Sequence, residues 1–401
     1  MPKIVYFSPS LETSPHEKIF ILLSRFPYPL DKGDKLRAYY FIKQLSYKYR
    51  VFLCTLSDVE VSDHEIQELK PFCEQIKVLP LSKIGTFLSL MKGLFNGIPF
   101  QVNYFQNSAH QATVKDLVSS FNPNKIFIQL PRMAEYVRNI QDIEKTIDYQ
   151  DCFSKIMQGR ADAGTWPLNI LYNIEAKRMQ QYEADIFSSF QKHLIISQAD
   201  LEALKMDSVQ KKQIKIAPNG VDNDYYKPYQ EPINKEFDVF FAGNMNYPPN
   251  IEAAVYLVDR VMPLVWKLYP NAKVLLVGTE PHRRVKALES ANVKVTGWVE
   301  DIRPWFAKSK MLVAPMFLGA GLQNKLLQAM AMQIPCITTP LANSALGANP
   351  NEEISVGTNE KEISEQIINL LQNPDKAEQL AEAGYQFIQN KFSWDAAVEW
   401  I

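Results

Sequence analysis

The chain has 401 residues, with 43 Lys and Arg against 44 Asp and Glu, for a formal net charge of −1. A single core stops growing at about 250–300 residues, so this length predicts two domains. A hydrophobic content of 46% with 22% charged residues excludes a disordered or fibrous chain. The near-neutral charge gives no reason to expect a nucleic-acid partner.

No run of 18 apolar residues is present to span a membrane, and the short apolar stretches Ile4–Phe7 and Ile19–Leu23 lack the features of a signal peptide. The cysteines (Cys54, Cys73, Cys152, Cys336) and five histidines are dispersed. Their scatter predicts neither a disulfide framework nor a metal site, and suits a cytoplasmic setting.

In chain order, Ile19–Leu23 reads as a buried strand. It runs into a loop, Arg25–Arg37, that holds Lys32, Gly33, Asp34 and Lys35. Asp34 is the expected N-cap of a helix with Leu36, Tyr39, Tyr40, Ile42 and Leu45 as its apolar face. Further strands are expected at Val51–Leu56, Ile76–Leu81, Lys125–Leu130, Lys145–Asp148, His193–Ser197 and Ile214–Ala217. A polar helix falls near His64–Phe72. Strands alternating with helices imply a parallel sheet covered on both faces.

Two readings are open for the apolar stretch Ile84–Phe100, with Lys83 and Lys92 at its margins. One is a surface that touches a membrane or a lipid-linked substrate, and the other is a core helix. Asp148, Asp151 and Arg132 follow strands and are candidates to orient an acceptor; a capping or surface role is the alternative.

The stretch from Asn223 to Glu236 is polar, carries Pro228 and Pro232, and reads as a linker. The alternation restarts at Phe237–Asn246, followed by one helix from about Asn250 to Leu268. Strands follow at Ala272–Gly278, Val293–Thr296, Met311–Phe317 and Cys336–Thr339, and helices at about Glu360–Leu371 and Lys376–Asn390. The fold class is α/β, with two doubly wound Rossmann-like domains facing across a cleft. Residues 1–230 form the first domain and 231–384 the second, and a terminal segment from about 385 to 401 packs back on the first through Phe387, Phe392, Trp394 and Trp400.

The most site-like stretch is Met311–Met332: a strand, a turn with Gly319 and Gly321, then a helix opened by Asn324 and Lys325. Backbone N–H groups at a helix start attract anions, and glycine lets a phosphate come close. A lysine in the first helical turn is unfavourable unless something negative sits beside it. The pattern suits a phosphate; a strand–glycine–helix turn that binds nothing, as in most α/β proteins, is the alternative.

Several motifs together resemble the large retaining glycosyltransferase family 4, of the two-Rossmann-domain (GT-B) type. They are Pro218-Asn-Gly-Val-Asp222, Phe241-Ala-Gly-Asn244, Val295-Thr-Gly-Trp-Val-Glu-Asp301 and Leu318–Met332. The stretch Arg25-Phe-Pro-Tyr-Pro…Lys-Gly-Asp-Lys-Leu-Arg37 resembles a subgroup associated with exopolysaccharide clusters. The resemblance implies transfer of a sugar from a nucleotide sugar to a glycan or lipid-linked acceptor. It implies no metal cofactor and allows peripheral contact with the cytoplasmic membrane face.

It also places the donor at Gly243, Asn244, Gly297, Trp298, Val299, Gly319, Gly321, Leu322, Asn324, Lys325 and Gln328. The acceptor-side loop is Lys32, Gly33, Asp34 and Lys35, and the catalytic candidates are Lys325, Asp151 and Arg132. The family usually has two glutamates where this chain has Ala320 and Gln328, and often an arginine where it has Asn244. Lys325 then becomes the main cation for the diphosphate, with Lys32 or Lys35 as helpers. A silent homologue that only binds nucleotide sugar, and a nucleotide-sugar epimerase, are the competing readings.

Overall fold

The computed structural model describes residues 4–6, 17–223, 225–229, 233–318 and 322–401. The chain divides into two compact units, Met1–Pro218 with Trp394–Ile401, and Asn219–Ser393. The division falls at Pro218/Asn219, ahead of the 230/231 boundary read from the prolines. The reason is local pairing: Val221 bridges to Ser393, and its N–H donates to the carbonyl of Phe392. The chain is therefore already part of the second unit at Val221.

The first unit holds β1 (Ile4–Tyr6), β2 (Lys18–Leu23), β3 (Arg50–Ser57), β4 (Gln75–Pro80), β5 (Lys125–Gln129), β6 (Glu144–Asp148), β7 (Lys192–Ile195) and β8 (Ile214–Ile216). Their order across the sheet is β1-β4-β3-β2-β5-β6-β7-β8, parallel except for β1. Successive residues of β2 serve opposite faces. Phe20 and Leu22 join one buried cluster, while Ile19, Ile21 and Leu23 join the other. That explains its unbroken apolar run, since both faces of a parallel sheet are covered.

The second unit holds β9 (Phe237–Ala242), β10 (Val274–Val277), β11 (Val293–Val295), β12 (Ser309–Ala314), β13 (Cys336–Thr338) and β14 (Ser355–Val356). Their order is β11-β10-β9-β12-β13-β14, all parallel. The order reverses beside β9 here and beside β2 in the first unit. Ligands of doubly wound sheets bind outside the strand carboxyl ends at such a reversal.

Four expectations need correcting. Asp34 is not an N-cap: the helix Gly33–Ser46 starts after Lys32, and no side chain caps it. Asp34 instead faces Arg25 at 3.2 Å and Arg132 at 3.8 Å, so two cations hold the group that a cap would have used. The core-helix reading of Ile84–Phe100 fails, because the helix Lys83–Gly93 leaves Ile84, Phe87 and Leu88 exposed, and Phe95 just beyond it is 89% exposed.

The single helix expected over Asn250–Leu268 contains a π-helical turn at Leu257–Val261, just before Pro263. Proline removes a helix hydrogen bond and clashes with the preceding turn, and a wider turn relieves this. Finally, residues 385–391 do not return to the first unit. They complete the helix Pro374–Lys391, and Phe387 and Phe392 pack in the second unit's core. Trp394–Ile401 alone belongs to the first unit, where Trp394 stacks on Tyr40 at 4.9 Å.

One buried pair locks the first unit's helix to its sheet. Arg37, on the helix Gly33–Ser46, donates from Nε to Asp148 Oδ2 at 2.6 Å and from Nη2 to Oδ1 at 3.0 Å, and both side chains are fully buried. Removing one partner leaves an uncompensated charge, at a cost of about 3–5 kcal/mol, whereas an apolar pair of similar volume is often neutral. Arg37→Met should therefore lower the unfolding free energy by about that amount, and Arg37→Met/Asp148→Leu should recover part of it. Urea unfolding of the three proteins checks this, and equal losses in single and double variants would exclude the pair as the cause.

Candidate functional site

In the second unit the residues leaving β9 and β12 meet at the reversal. Gly278, which follows β10, comes so close to Gly243 that a Cβ there would stand 1.6 Å from the Gly243 carbonyl oxygen, so only glycine fits. Its N–H donates to the carbonyl of Gly297 at 3.2 Å, and Gly297 has φ +74°, a left-handed conformation that favours glycine. Gly243, Gly278 and Gly297 thus converge. Thr338 and Thr339 donate to the carbonyls of Ala314 and Met316, which sets the path of the chain leaving β12.

Lys325 lies in the first turn of the helix Asn324–Ala331 and is buried. Its Nζ donates to Asn250 Oδ1 at 2.7 Å and lies 3.5 Å from Gln323 Oε1 and 3.7 Å from Met316 Sδ. It also sits 4.8 Å from the centre of the Phe241 ring. Among the described residues these partners are all neutral, and burial pulls its pKa down to about 7. No side chain caps the start of this helix. The Asn324 Oδ1 atom is buried and without a partner among the described residues, and Gln328 is half-buried. A buried cation, an uncapped helix start and an orphaned polar atom make a place prepared for an anion.

Asn250 was read from the sequence only as a helix start, yet it organises this corner. It accepts from Lys325, donates to the carbonyl of Asn244 at 3.0 Å, and fills the space that a Cβ on Gly243 would need. The signal was a polar residue at a position that folding then buries; apolar periodicity does not register it. Asn244 is exposed and accepts from the Asn246 N–H. Leu322 packs on the core, while Trp298 is exposed and Val299 lines a separate shallow hollow with Tyr225, Asp301, Arg303 and Trp305. Gly319, Ala320 and Gly321 lie outside the described residues.

In the first unit a hollow of about 830 Å³ lies where β5 and β6 end. Of the sequence candidates it brings together Gly33, Asp34, Arg132 and Asp151, and it adds Arg25, Gln150 and Glu175. Lys32 and Lys35 do not line it; Lys35 is paired with Asp31 at 3.0 Å and Lys32 is exposed. Both strand ends turn through left-handed conformations at non-glycine residues, Leu130 (φ 74°) and Gln150 (φ 62°). Such geometry costs of order 1–3 kcal/mol each and clusters at functional sites.

The turn at Gln150 is tied in by hydrogen bonds. Its N–H donates to Asp148, and its side chain accepts from Gln129 and donates to Asp151, each at 3.2 Å. Burial, with Asp200 and Asp148 nearby, raises the Asp151 pKa to about 6. Arg132 donates to Ser24 Oγ at 3.1 Å and lies over Phe105, and burial, reinforced by Arg25, lowers its pKa to about 10. Among the described residues no group of three or more His, Cys, Asp or Glu is placed to hold a metal.

The pKa of Lys325 has a testable consequence for stability. Between about pH 7 and 10.5 the unfolded lysine binds a proton that the folded one does not, so stability rises with pH in that window. The contribution is at most about 1.4 kcal/mol per pH unit. Lys325→Met should remove it, flattening the dependence seen in urea midpoints between pH 7.5 and 9.5. An unchanged slope would mean that this lysine is charged in the folded protein.

Comparison with known proteins bears on the fold and on the second unit's family. Residues 236–373 match the family model for Glycosyl transferases group 1. A 44.6 kDa protein of the cps region of Klebsiella pneumoniae is 22% identical over 399 residues, covering 94% of this chain and 96% of that one. The Anabaena protein Alr3699/HepE, solved in complex with UDP, superposes with a TM-score of 0.67 at 13% identity, covering 95% of this chain and 97% of the other. Sucrose-phosphate synthase of Thermosynechococcus elongatus gives 0.64 at 14% identity, covering 95% and 96%. These structural likenesses concern the fold, which is GT-B.

Proposed function

We propose that this chain, whose residues 236–373 match the family model for Glycosyl transferases group 1, moves a sugar from a nucleoside-diphosphate donor to a hydroxyl of a glycan or lipid-linked acceptor. The observation that carries the reading is Lys325: a buried lysine with neutral partners only, among the described residues, at the reversal point of a doubly wound sheet, where a bound anion would favour its charged form. A leaving diphosphate needs positive charge as the bond to the sugar breaks. An ammonium group and backbone N–H groups at a helix start supply it without reorganisation. This donor set makes a metal-independent reaction the expectation.

The second unit holds the donor and the first unit the acceptor, at Asp34, Arg132, Gln150 and Asp151. In the family-4 manner, the acceptor oxygen bonds to the anomeric carbon on the face that the diphosphate leaves, and the diphosphate takes the acceptor proton. Configuration is then retained. The relative from a cps region supports a role in surface polysaccharide assembly, and complexes of the Anabaena protein with UDP and UDP-glucose support a uridine donor. No described helix is long and apolar enough to cross a membrane. Peripheral contact with a membrane face is supported by the exposed apolar side of the helix Lys83–Gly93 with Lys83 and Lys92 on it.

A second reading, a nucleotide-sugar-binding homologue without activity, draws on Gln328, where the family usually carries a glutamate. Calorimetry with UDP and GDP, followed by a transfer or hydrolysis screen against nucleotide sugars, tests both. Nucleotide binding is expected. Its complete absence would overturn the donor site.

Lys325→Ala should weaken binding by about 1.5–3 kcal/mol, the worth of a hydrogen bond to a charged group. Gln328→Glu should tighten it by about 1 kcal/mol if position 328 faces the ribose, because a charged acceptor replaces a neutral one. Weaker binding in that variant would show Gln328 donating through its amide. EDTA should leave transfer unaffected.

A further inference from the structure

The acceptor end of the first-unit hollow rests on a chain of hydrogen bonds that can run in one direction only. Its first link is Gln129, the last residue of β5, which follows the run Ile126-Phe-Ile128 and is almost fully buried. Gln129 does not line the hollow, whereas Gln150 and Asp151 do. Its Nε2 donates to the Asp34 carbonyl at 3.0 Å and to Gln150 Oε1 at 3.2 Å. Gln150 Nε2 in turn donates to Asp151 Oδ2 at 3.2 Å.

Each orientation in this chain follows from the one before it. A carbonyl oxygen only accepts, so Asp34 requires the Gln129 amide to turn its NH2 that way. The same NH2 then faces Gln150, which must answer with its amide oxygen. That leaves the Gln150 NH2 toward Asp151, whose carboxylate accepts it. With the Gln150 amide reversed, two NH2 groups would meet at one end and an amide oxygen would face a carboxylate at the other. The Gln150 backbone is also held: its N–H donates to Asp148 Oδ1 at 3.2 Å, and its carbonyl accepts the Ile196 N–H at 2.9 Å.

Resting on the reading that this hollow binds the acceptor, we infer that Gln129 is a positioning residue. It fixes the Gln150 amide and through it presents Asp151 to the hollow as a hydrogen-bond acceptor for a substrate hydroxyl. The other protonation state of Asp151 is close at hand. Burial, Asp200 on the helix Gln198–Ala203 and Asp148 on β6 all favour the protonated carboxyl, which would offer an O–H instead. Arg37 and the Gln150 amide oppose them, and the balance leaves the group titrating at about 6. The other ionisable side chains lining the hollow are Arg25, Asp34, Arg132, Arg160, Tyr172 and Glu175. Among these influences the Gln150 amide is the one that Gln129 controls. Its loss moves Asp151 toward the form that donates, and a substrate hydroxyl then loses its acceptor.

The test reads the Asp151 carboxyl directly, by NMR titration of the full chain with isotope-labelled aspartate, the signal being identified by its absence in Asp151→Asn. Gln129→Met should raise the midpoint by about one pH unit, the difference between a hydrogen bond to a charged partner and one to a neutral partner. Gln129→Asn, too short to bridge Asp34 and Gln150, should do the same while keeping an amide in place. A methionine variant that fails to fold therefore leaves the test intact. Gln150→Met should raise the midpoint equally, and Gln129→Met/Gln150→Met should raise it no further. General loosening by either change would not give that non-additivity.

An unmoved midpoint in the Gln129 variants would overturn the inference. So would a further rise in the double variant, since Gln129 would then reach Asp151 by another route. Transfer assays separate this inference from the function it rests on. The acid limb of kcat/KM should move up with the midpoint in the same variants. A shifted midpoint with an unmoved acid limb sinks the contact between Asp151 and the substrate hydroxyl. Absent transfer by the unmodified protein sinks the proposed activity, and the titration still decides the role of Gln129.

Discussion

The first unit depends on an ion pair that never meets water. Arg37 and Asp148 are both fully buried, one on the helix that follows β2 and the other at the end of β6. Two charges removed from solvent hold a structure only when their remaining bonding capacity is satisfied. Here Asp148 also accepts the Gln150 N–H, and its backbone carbonyl accepts the Leu130 N–H at 2.8 Å. The pair therefore positions the helix start that carries Gly33 and Asp34, and it pins both strained strand ends. Of the polar groups assigned to the acceptor end, Gln150 donates to Asp148 and Asp151 accepts from the Gln150 side chain.

The second unit solves a comparable problem in the opposite way. Its buried lysine has no carboxylate partner among the described residues, and neutral oxygens, a sulfur atom and a ring take that place. Burial favours the neutral form of this lysine, and an anion such as the proposed diphosphate would favour its charged form. Structural ion pairs close on themselves, whereas a binding site keeps one valence open.

How much was legible in the sequence follows from which interactions are local. The strands were readable because a parallel sheet covered on both faces needs unbroken apolar runs such as Ile19–Leu23 and Val274–Val277. The loop–helix transition near Gly33 was readable too, but the role of Asp34 was not. Arg25, at the start of the same loop, and Arg132, far along the chain, claim its carboxylate, and no helix-capping rule anticipates them. Asn250 escaped for the same reason, as its partners Lys325 and Asn244 come from different strand ends. The stretch Ile84–Phe100 shows the limit of composition: apolar content alone does not say which side of a helix a protein will cover.

The return of Trp394–Ile401 bears on synthesis at the ribosome. The first unit's buried cluster includes Trp394, Ala397, Val398 and Ile401, all of which emerge after the whole second unit. At about 5–20 residues per second, the wait between Pro218 and Trp394 is on the order of ten to thirty seconds. During that interval Tyr40 and Phe41 lack the indole that covers them, and a nascent chain stalled there presents that bare aromatic surface to chaperones. The second unit is contiguous and closes as soon as it is made, so the half of the chain translated first is the half completed last.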